Sequence, residues 1–261
     1  MTIKIASFNA NSIRARLSII IEWLVSTSTE ILCVQETKVQ DGDFPEEAFE
    51  EIGYHCGFKG QKSYNGVALI SKFPLENLSS GFDRKGEDEG ARLMTARINN
   101  INILNVYIPQ GFAPETEKFQ YKLTWLERLL EYLNNNFTRE DPLILLGDFN
   151  IAPENIDVYD PEKLSGSVGF HPDEQKGLQK IRDWGFVDVF RKHEKREKQY
   201  TFFDYRIPNG VKRNMGWRID HIWATEVIAE KSVNSYIDLK PRLKDKPSDH
   251  TCIIAEFDVE W

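Results

Sequence analysis

The strongest constraint on this chain is a recurring unit, a short β-type apolar run that stops abruptly on a polar residue no core requires. Ile3 and Ile5 alternate with polar neighbours until Phe8-Asn9, and Glu30-Ile-Leu-Cys-Val-Gln35 stops at Glu36. Residues 101–107 end on Tyr107, and residues 143–146 run into Gly147-Asp148. The segment 217–223 carries Asp220, and 251–259 follows Asp249-His250. Residues 65–71, 92–98, 200–205 and 232–237 have the same β-type composition, with Asn99-Asn100 as a hairpin turn. Helical spacing is confined to a few places. Ile13, Leu17, Ile20, Ile21 and Leu24 recur at helical intervals behind Ser12, which stands at an N-cap position. Phe119, Leu123, Leu126, Leu130 and Leu133 mark a long amphipathic helix closed by Asn134-Asn135-Asn136, and residues 173–184 read as another. About nine or ten strands against three or four helices, with hairpin-like pairs breaking any strict βαβαβ alternation, point to an α/β protein of stacked mixed sheets.

A chain of 261 residues without repeats, low-complexity tracts or an evident linker is read as one domain over residues 1–261. Its apolar stretches fall far short of the roughly 18–20 residues a bilayer crossing takes, so no membrane partner is expected. Met1-Thr-Ile-Lys-Ile enters strand-like sequence directly, and a cytoplasmic location is the expectation. Cys33, Cys56 and Cys252 are odd in number, widely spaced and without a Cys-x-x-Cys pair, which reads as reduced core thiols. The net charge of −8 argues against binding nucleic acid with the whole surface. A local basic face around an acidic metal centre is compatible with it.

The polar strand ends carry the chemistry: Asn9, Asn11, Glu36, Tyr107, Asp148, Asn150, Asp220, Asp249 and His250. An aspartate after a strand is ordinarily a turn or cap residue, and the asparagines are ordinarily turn residues. Recurrence at so many strand ends suggests one site assembled from all of them. Oxygen-rich side chains, no thiolates and only five histidines suit a hard divalent cation such as Mg²⁺, with Glu36 the first choice of ligand. Such an ion polarises a phosphoryl oxygen and helps ionise water while a neighbouring carboxylate or imidazole handles the proton. Phosphoester hydrolysis is the natural reaction. The chain lacks a Gly-x-x-x-x-Gly-Lys loop, a Gly-x-Gly-x-x-Gly turn, a Gly-x-Ser-x-Gly elbow and a His-Glu-x-x-His motif.

Seven words carry a resemblance: Ser7-Phe-Asn-Ala-Asn-Ser-Ile-Arg-Ala-Arg16, Leu32-Cys-Val-Gln-Glu-Thr-Lys-Val39, Asn65-Gly-Val-Ala68, Tyr107-Ile-Pro-Gln-Gly111, Gly147-Asp-Phe-Asn150, Gly216-Trp-Arg-Ile-Asp220 and Lys246-Pro-Ser-Asp-His250. In this order they resemble the exonuclease III family of abasic-site endonucleases, over nearly the whole chain. Gly-Asp-x-Asn and Ser-Asp-His alone indicate the broader endonuclease/exonuclease/phosphatase superfamily; Gln-Glu-Thr-Lys, Asp-Tyr-Arg and Gly-Trp-Arg-x-Asp narrow it to the DNA-repair branch. The resemblance implies a four-layer α/β sandwich, two stacked mixed sheets flanked by helices, with the active site at one end. It also implies Mg²⁺-dependent or Mn²⁺-dependent hydrolysis of duplex DNA 5′ to an abasic site, leaving a 3′-hydroxyl. Activities on 3′-blocked ends and 3′→5′ trimming come with it, as does a monomeric state.

By the same resemblance Glu36 is the principal metal ligand, with Asn9 and Asn11 close by in the metal or phosphate shell; Asp249, the other candidate carboxylate partner for His250, is kept as a metal-linked residue. Asp148 activates water, Asn150 orients it, Tyr107 stabilises phosphate or leaving oxygen, and His250 contacts phosphate with Asp220 as its carboxylate partner. On an extended backbone Asp249 would point away from the site if His250 points in. Phe202, Trp217 and Ile219, ordinary core residues on sequence alone, line by resemblance a small pocket for a flipped-out sugar lacking its base. Arg206 sits where relatives insert a side chain into the duplex, and Lys62 lies in a DNA-contacting loop. Arg14, Arg16, Lys38, Lys59, Lys212, Arg213, Arg218 and Lys244 could neutralise flanking phosphates. Ser12 replaces a common Gly, Thr201-Phe202-Phe203 lacks a common Trp, and Ala91 separates Gly90 from Arg92 where Glu-Gly-Arg is usual. Two other readings stand beside this one: a superfamily phosphoesterase acting on RNA or a phosphoinositide, and a catalytically silent DNA-binding scaffold.

Overall fold

The computed structural model describes residues 2–82 and 90–259. In chain order the elements are β1 (Thr2–Asn9), α1 (Ile13–Thr27), β2 (Ile31–Gln35), α2 (Glu46–Glu50), β3 (His55–Lys59), β4 (Val67–Ser71), β5 (Glu76–Ser80), β6 (Leu93–Ile98) and β7 (Ile101–Tyr107). They continue as α3 (Glu117–Asn136), β8 (Leu143–Asp148), α4 (Pro161–Leu164), α5 (Pro172–Asp183), β9 (Phe186–Asp188), α6 (Val189–His193), β10 (Asp220–Thr225), α7 (Glu226–Ala229), β11 (Ser232–Asp238) and β12 (Cys252–Asp258).

Two six-stranded sheets form, in the orders β11-β12-β1-β2-β4-β3 and β5-β6-β7-β8-β10-β9. Each holds one parallel pair, β1 with β2 and β7 with β8, among antiparallel neighbours. Strand alternation decides the layering. Ile3 and Ile5 of β1 join Ile103, Ile144, Leu146 and Ile222 of the other sheet in a core between the sheets. Ala6 and Phe8 face the opposite way, toward Ile20, Trp23 and Leu24 of α1. On the far side, Leu104, Val106 and Leu145 pack against Trp125, Leu126, Leu129 and Leu133 of α3 and Leu178 and Ile181 of α5. Helix, sheet, sheet and helix are the expected four layers.

Local differences from the sequence reading have physical causes. The segment 200–205 is not a strand; it makes isolated bridges through Phe202 to Trp217 and His250. The strand expected over 217–223 begins only at Asp220. The expected closing run Asn134-Asn135-Asn136 is instead the last turn of α3, whose cap is Phe137. Ser12 makes no side-chain cap and sits at φ +95. Its N–H and that of Ile13 donate to the carbonyls of Glu36 and Thr37, so the loop after β2 caps α1. Gly66 turns with φ +96 where a Cβ would lie 2.0 Å from Thr37 Oγ1, and its backbone pairs with the same loop. Ala91 adopts φ +54, leaving Arg92 in reach of Tyr107. No helix among the described residues is long and apolar enough to cross a membrane.

Candidate active site

The sheet ends converge. Asn9 closes β1, Glu36 follows β2, Tyr107 closes β7, Asp148 closes β8 and Asp220 opens β10, while His250 precedes β12. The seam between the sheets changes character as it approaches them. Ser7, Gln35 and Asn105 replace aliphatic side chains there, with Gln35 Nε2 donating to Asn105 Oδ1 at 2.7 Å. Asn105 Nδ2 donates in turn to Val34 O at 3.0 Å and Ala68 O at 2.9 Å, tying the two sheets together just behind the site. Asn11, Glu36 and Asn150 all stand in the left-handed region, at φ +46, +51 and +52. Non-glycine residues held there cluster at functional sites, because the surrounding structure must over-determine them. Gly147 (φ +143) lets β8 lie against β7, since a Cβ would meet Val106 O at 1.9 Å.

Asp148 is fully buried and surrounded by donors. Asn9 Nδ2 donates to its Oδ2 at 2.8 Å, and the Asn150 backbone N–H donates to its Oδ1 at 2.8 Å. Asn150 Nδ2 adds a contact of 3.3 Å to Oδ2 and donates to Ile108 O at 2.9 Å. Burial nevertheless dominates and pushes the carboxyl up to about 7, with the nearby Asp220 and Glu36 charges acting in the same direction. The Nδ1 of His250 is 2.8 Å from Asp220 Oδ2, and its Nε2 lies 3.8 Å from Asp148 Oδ2. Burial works against an imidazolium, but Asp220 and Asp148 outweigh it and hold the ring's pKa at about 10. His250 is therefore a cation with both ring nitrogens protonated. The expected pairing with Asp220 is the one found.

Glu36 accepts from Asn9 Nδ2 and from the Tyr107 hydroxyl, each at 2.9 Å to Oε1. Burial raises its pKa, but Lys38 and the Asn9 amide more than offset this and hold it below the ordinary carboxylate range. Burial and the charges of Glu36 and Asp148 drive the Tyr107 phenol well above its usual value, and its hydroxyl donates to Glu36. Arg92 lies over its ring at 4.7 Å.

Two places here demand a cation. One, between Asp148 and Asp220, is answered by the His250 imidazolium; these three form the one cluster of metal-ligating type among the described residues. The carboxylate oxygens of Asp148 and Asp220 and the His250 ring are donors of the kind a divalent ion takes. The other is bounded by Glu36 Oε2 and Asn11 Oδ1, which receive the Lys38 ammonium at 2.7 and 2.6 Å. Asp249 adjoins it, accepting from Asn11 Nδ2 at 3.0 Å. Hard oxygen donors already holding a cation fit a divalent ion. Asp249 thus does not point away as strand alternation suggests. Ser248 Oγ bonds Asn9 O at 2.8 Å and accepts from His250 N at 3.2 Å, bending the chain so that Asp249 and His250 face the same cleft.

That cleft, about 810 Å³, is lined by Glu36, Tyr107, Asn150, Asp249 and His250 together with Phe202, Trp217 and Ile219. The Phe202 ring tilts over His250 at a centroid distance of 4.9 Å, and Trp217 meets Phe170 edge-on at 6.5 Å. Apolar wall and polar floor therefore share one opening. Arg14, on the first turn of α1, and Lys62, in the loop before β4, are exposed and lie outside the cleft lining. Arg206 lines the cleft, and its exposed guanidinium pairs with Asp204 at 2.6–3.0 Å. Arg218 is not exposed to contact phosphate as the sequence suggests. It is buried between Asp157 (2.7 Å) and Asp188 (2.9 Å) and donates to His221 Nδ1 at 2.9 Å. Burial and the Arg218 charge drop His221 to about 4, so its neutral ring donates from Nε2 to Ile151 O at 3.0 Å. Sequence reasoning also passed over Lys122, whose ammonium bonds Asn150 O from behind at 2.8 Å; its place in a helical pattern resembles an exposed position.

Comparison with known proteins gives the family. The pattern of the Endonuclease/Exonuclease/phosphatase family matches residues 6–250. The chain is 35% identical to exodeoxyribonuclease III of Haemophilus influenzae, covering 97% of this chain and 99% of that protein. Among solved structures it resembles an AP endonuclease from Archaeoglobus fulgidus at a TM-score of 0.95 and 48% identity, covering 98% and 100% of the two chains. A 3′ phosphatase, NExo, from Neisseria, bound to a product DNA hairpin, superposes at 0.94 with 35% identity, covering 98% and 100%.

Proposed function

The chain belongs to the Endonuclease/Exonuclease/phosphatase family, and on that premise we propose that it is a DNA-repair phosphodiesterase that incises duplex DNA 5′ to an abasic site. It leaves a 3′-hydroxyl and also processes 3′-blocked or recessed ends, as a single domain working as a cytoplasmic monomer. Members of the family use a divalent metal; here Mg²⁺ is the ion, with Mn²⁺ able to substitute. The observation that carries the reading is the shared cleft, where an acid, imidazolium and phenol cluster opens beside an apolar wall of Phe202, Trp217 and Ile219.

A divalent ion held by Glu36, with Asn11 and Asp249 beside it, would supply charge neutralisation at the scissile phosphate and help ionise water. Asp148, poised near neutrality and oriented by Asn9 and Asn150, accepts the proton of the attacking water. The His250 imidazolium, fixed by Asp220, stabilises the charge developing on phosphate, and the Tyr107 phenol donates to a phosphate or leaving oxygen. The apolar wall accepts a base-less sugar swung out of the helix, and a normal base is refused by size. An end-labelled duplex with one tetrahydrofuran analogue, incubated with Mg²⁺ or EDTA beside an undamaged duplex and a recessed 3′ end, tests this. Metal-dependent incision at the 5′ side of the lesion is the expected result. An intact abasic strand alongside hydrolysis of RNA or a phosphoinositide rejects it.

A further inference from the structure

Behind the site lies a buried ion pair that the chemistry above does not use. Lys122, on the inward face of α3, has a side chain with no exposure. Its Nζ donates to Asn150 O at 2.8 Å and Gln110 O at 3.3 Å, and pairs with Glu174 Oε1 at 2.6 Å. Helix α3 is already anchored by Phe119, Trp125, Leu126, Leu129 and Leu133, so an ammonium is not needed to dock it. Two buried charges are a weak source of stability, because desolvation offsets much of their attraction. What they touch is more informative. Glu174 Oε2 accepts from the N–H of Gly169 at 2.7 Å and of His171 at 3.2 Å. Gly169 is a wall of the cleft, and a Cβ on it would lie 3.3 Å from both Asn150 O and the Trp217 ring. Gln110 belongs to the loop that leaves Tyr107.

From this geometry we propose that Lys122 and Glu174 are a positioning pair that holds the catalytic turn at Asn150 and the loop after Tyr107 in register with the apolar wall at Gly169 and Trp217. The pair thereby determines how tightly cleavage is tied to a base-less sugar in the pocket. This inference rests on the proposed activity. The readout is a ratio, kcat/KM for incision at the tetrahydrofuran site over kcat/KM for trimming a recessed, undamaged 3′ end. The ratio is independent of how much of a preparation is folded. Lys122→Met is expected to lower it about tenfold or more, since sub-ångström misplacement of reacting groups is costly. Lys122→Met/Glu174→Gln removes the unpaired buried charge and keeps an acceptor for Gly169. It is expected to melt higher than Lys122→Met while its ratio stays low. A ratio unchanged in Lys122→Met, or restored together with stability in the double variant, overturns the positioning role and leaves a purely structural pair. A wild-type protein that never incises the abasic duplex overturns the proposed activity and this inference with it.

Discussion

Replacing Asp148 by Asn is expected to stabilise the metal-free protein at pH 8 while destroying its activity. Burial raises the Asp148 carboxyl from its ordinary 3.8 to about 7. The folded state thus holds this proton more tightly than the unfolded chain does. Stability linked to the group is fully present below about pH 4 and is lost as pH rises through about 7. A shift of about three units at 1.36 kcal/mol each amounts to roughly 4 kcal/mol above pH 7. An amide removes that cost, yet it has a single acceptor oxygen for the donors of Asn9 and Asn150, which returns about 1–3 kcal/mol. The His250 imidazolium also loses one of the anions that favour it. A net gain of about 1–2 kcal/mol remains at pH 8, or about 2–8 °C in Tm for a chain of this size. Thermal unfolding in EDTA at pH 8 and pH 5 measures it, and by pH 5 the gain is expected to vanish. A variant less stable than wild type at pH 8, or a difference that does not change with pH, refutes the reasoning.

Other consequences follow from the same geometry. On the abasic duplex, kcat/KM is expected to rise as Asp148 loses its proton and to fall as pH approaches about 10, where His250 loses its own; bound metal moves the lower limb toward acid. A profile flat from pH 5 to 10.5 contradicts both assignments. His250→Gln removes the upper limb and slows cleavage about 10²-fold or more, read as kcat at saturating DNA. Trp217→Ala leaves incision intact but relaxes the preference for abasic over undamaged duplex about tenfold, on the scale by which apolar pockets discriminate shape. Arg218→Met leaves Asp188 without its guanidinium partner and Asp157 with Arg191 alone, and should cost about 3–5 kcal/mol in urea unfolding. A loss below about 1 kcal/mol would show the cluster to be unimportant.

The site was legible where chemistry interrupts a pattern. Asn9, Glu36, Tyr107, Asp148 and His250 each end or flank an apolar run, and in the fold those run ends meet at one edge of the two sheets. What the sequence concealed is the chemistry of pairing at a distance. Arg218 and Lys122 are ordinary cations in one dimension; in the fold their charges are answered by Asp157, Asp188 and Glu174 from other elements. Glu76–Ser80 was missed as a strand because Glu-Asn-Leu-Ser-Ser offers almost no apolar alternation and pairs irregularly at a sheet edge. The capping of α1 at Ser12 and the direction of the Asp249 side chain depart from local rules for a common reason. Local rules of capping and alternation yielded to backbone contacts with the loop after β2 and with Asn9, respectively.

The central claim, that these strand ends form one metal-dependent hydrolytic site with Asp148 as its proton acceptor, is tested most directly by single-turnover cleavage. Wild type and Asp148→Asn are compared on a tetrahydrofuran-containing duplex at saturating Mg²⁺, with DNA affinity measured in parallel. The account predicts incision slowed about 10³-fold or more while affinity for the duplex is retained. Cleavage by Asp148→Asn within about tenfold of wild type would contradict it, because an amide cannot accept the proton of the attacking water.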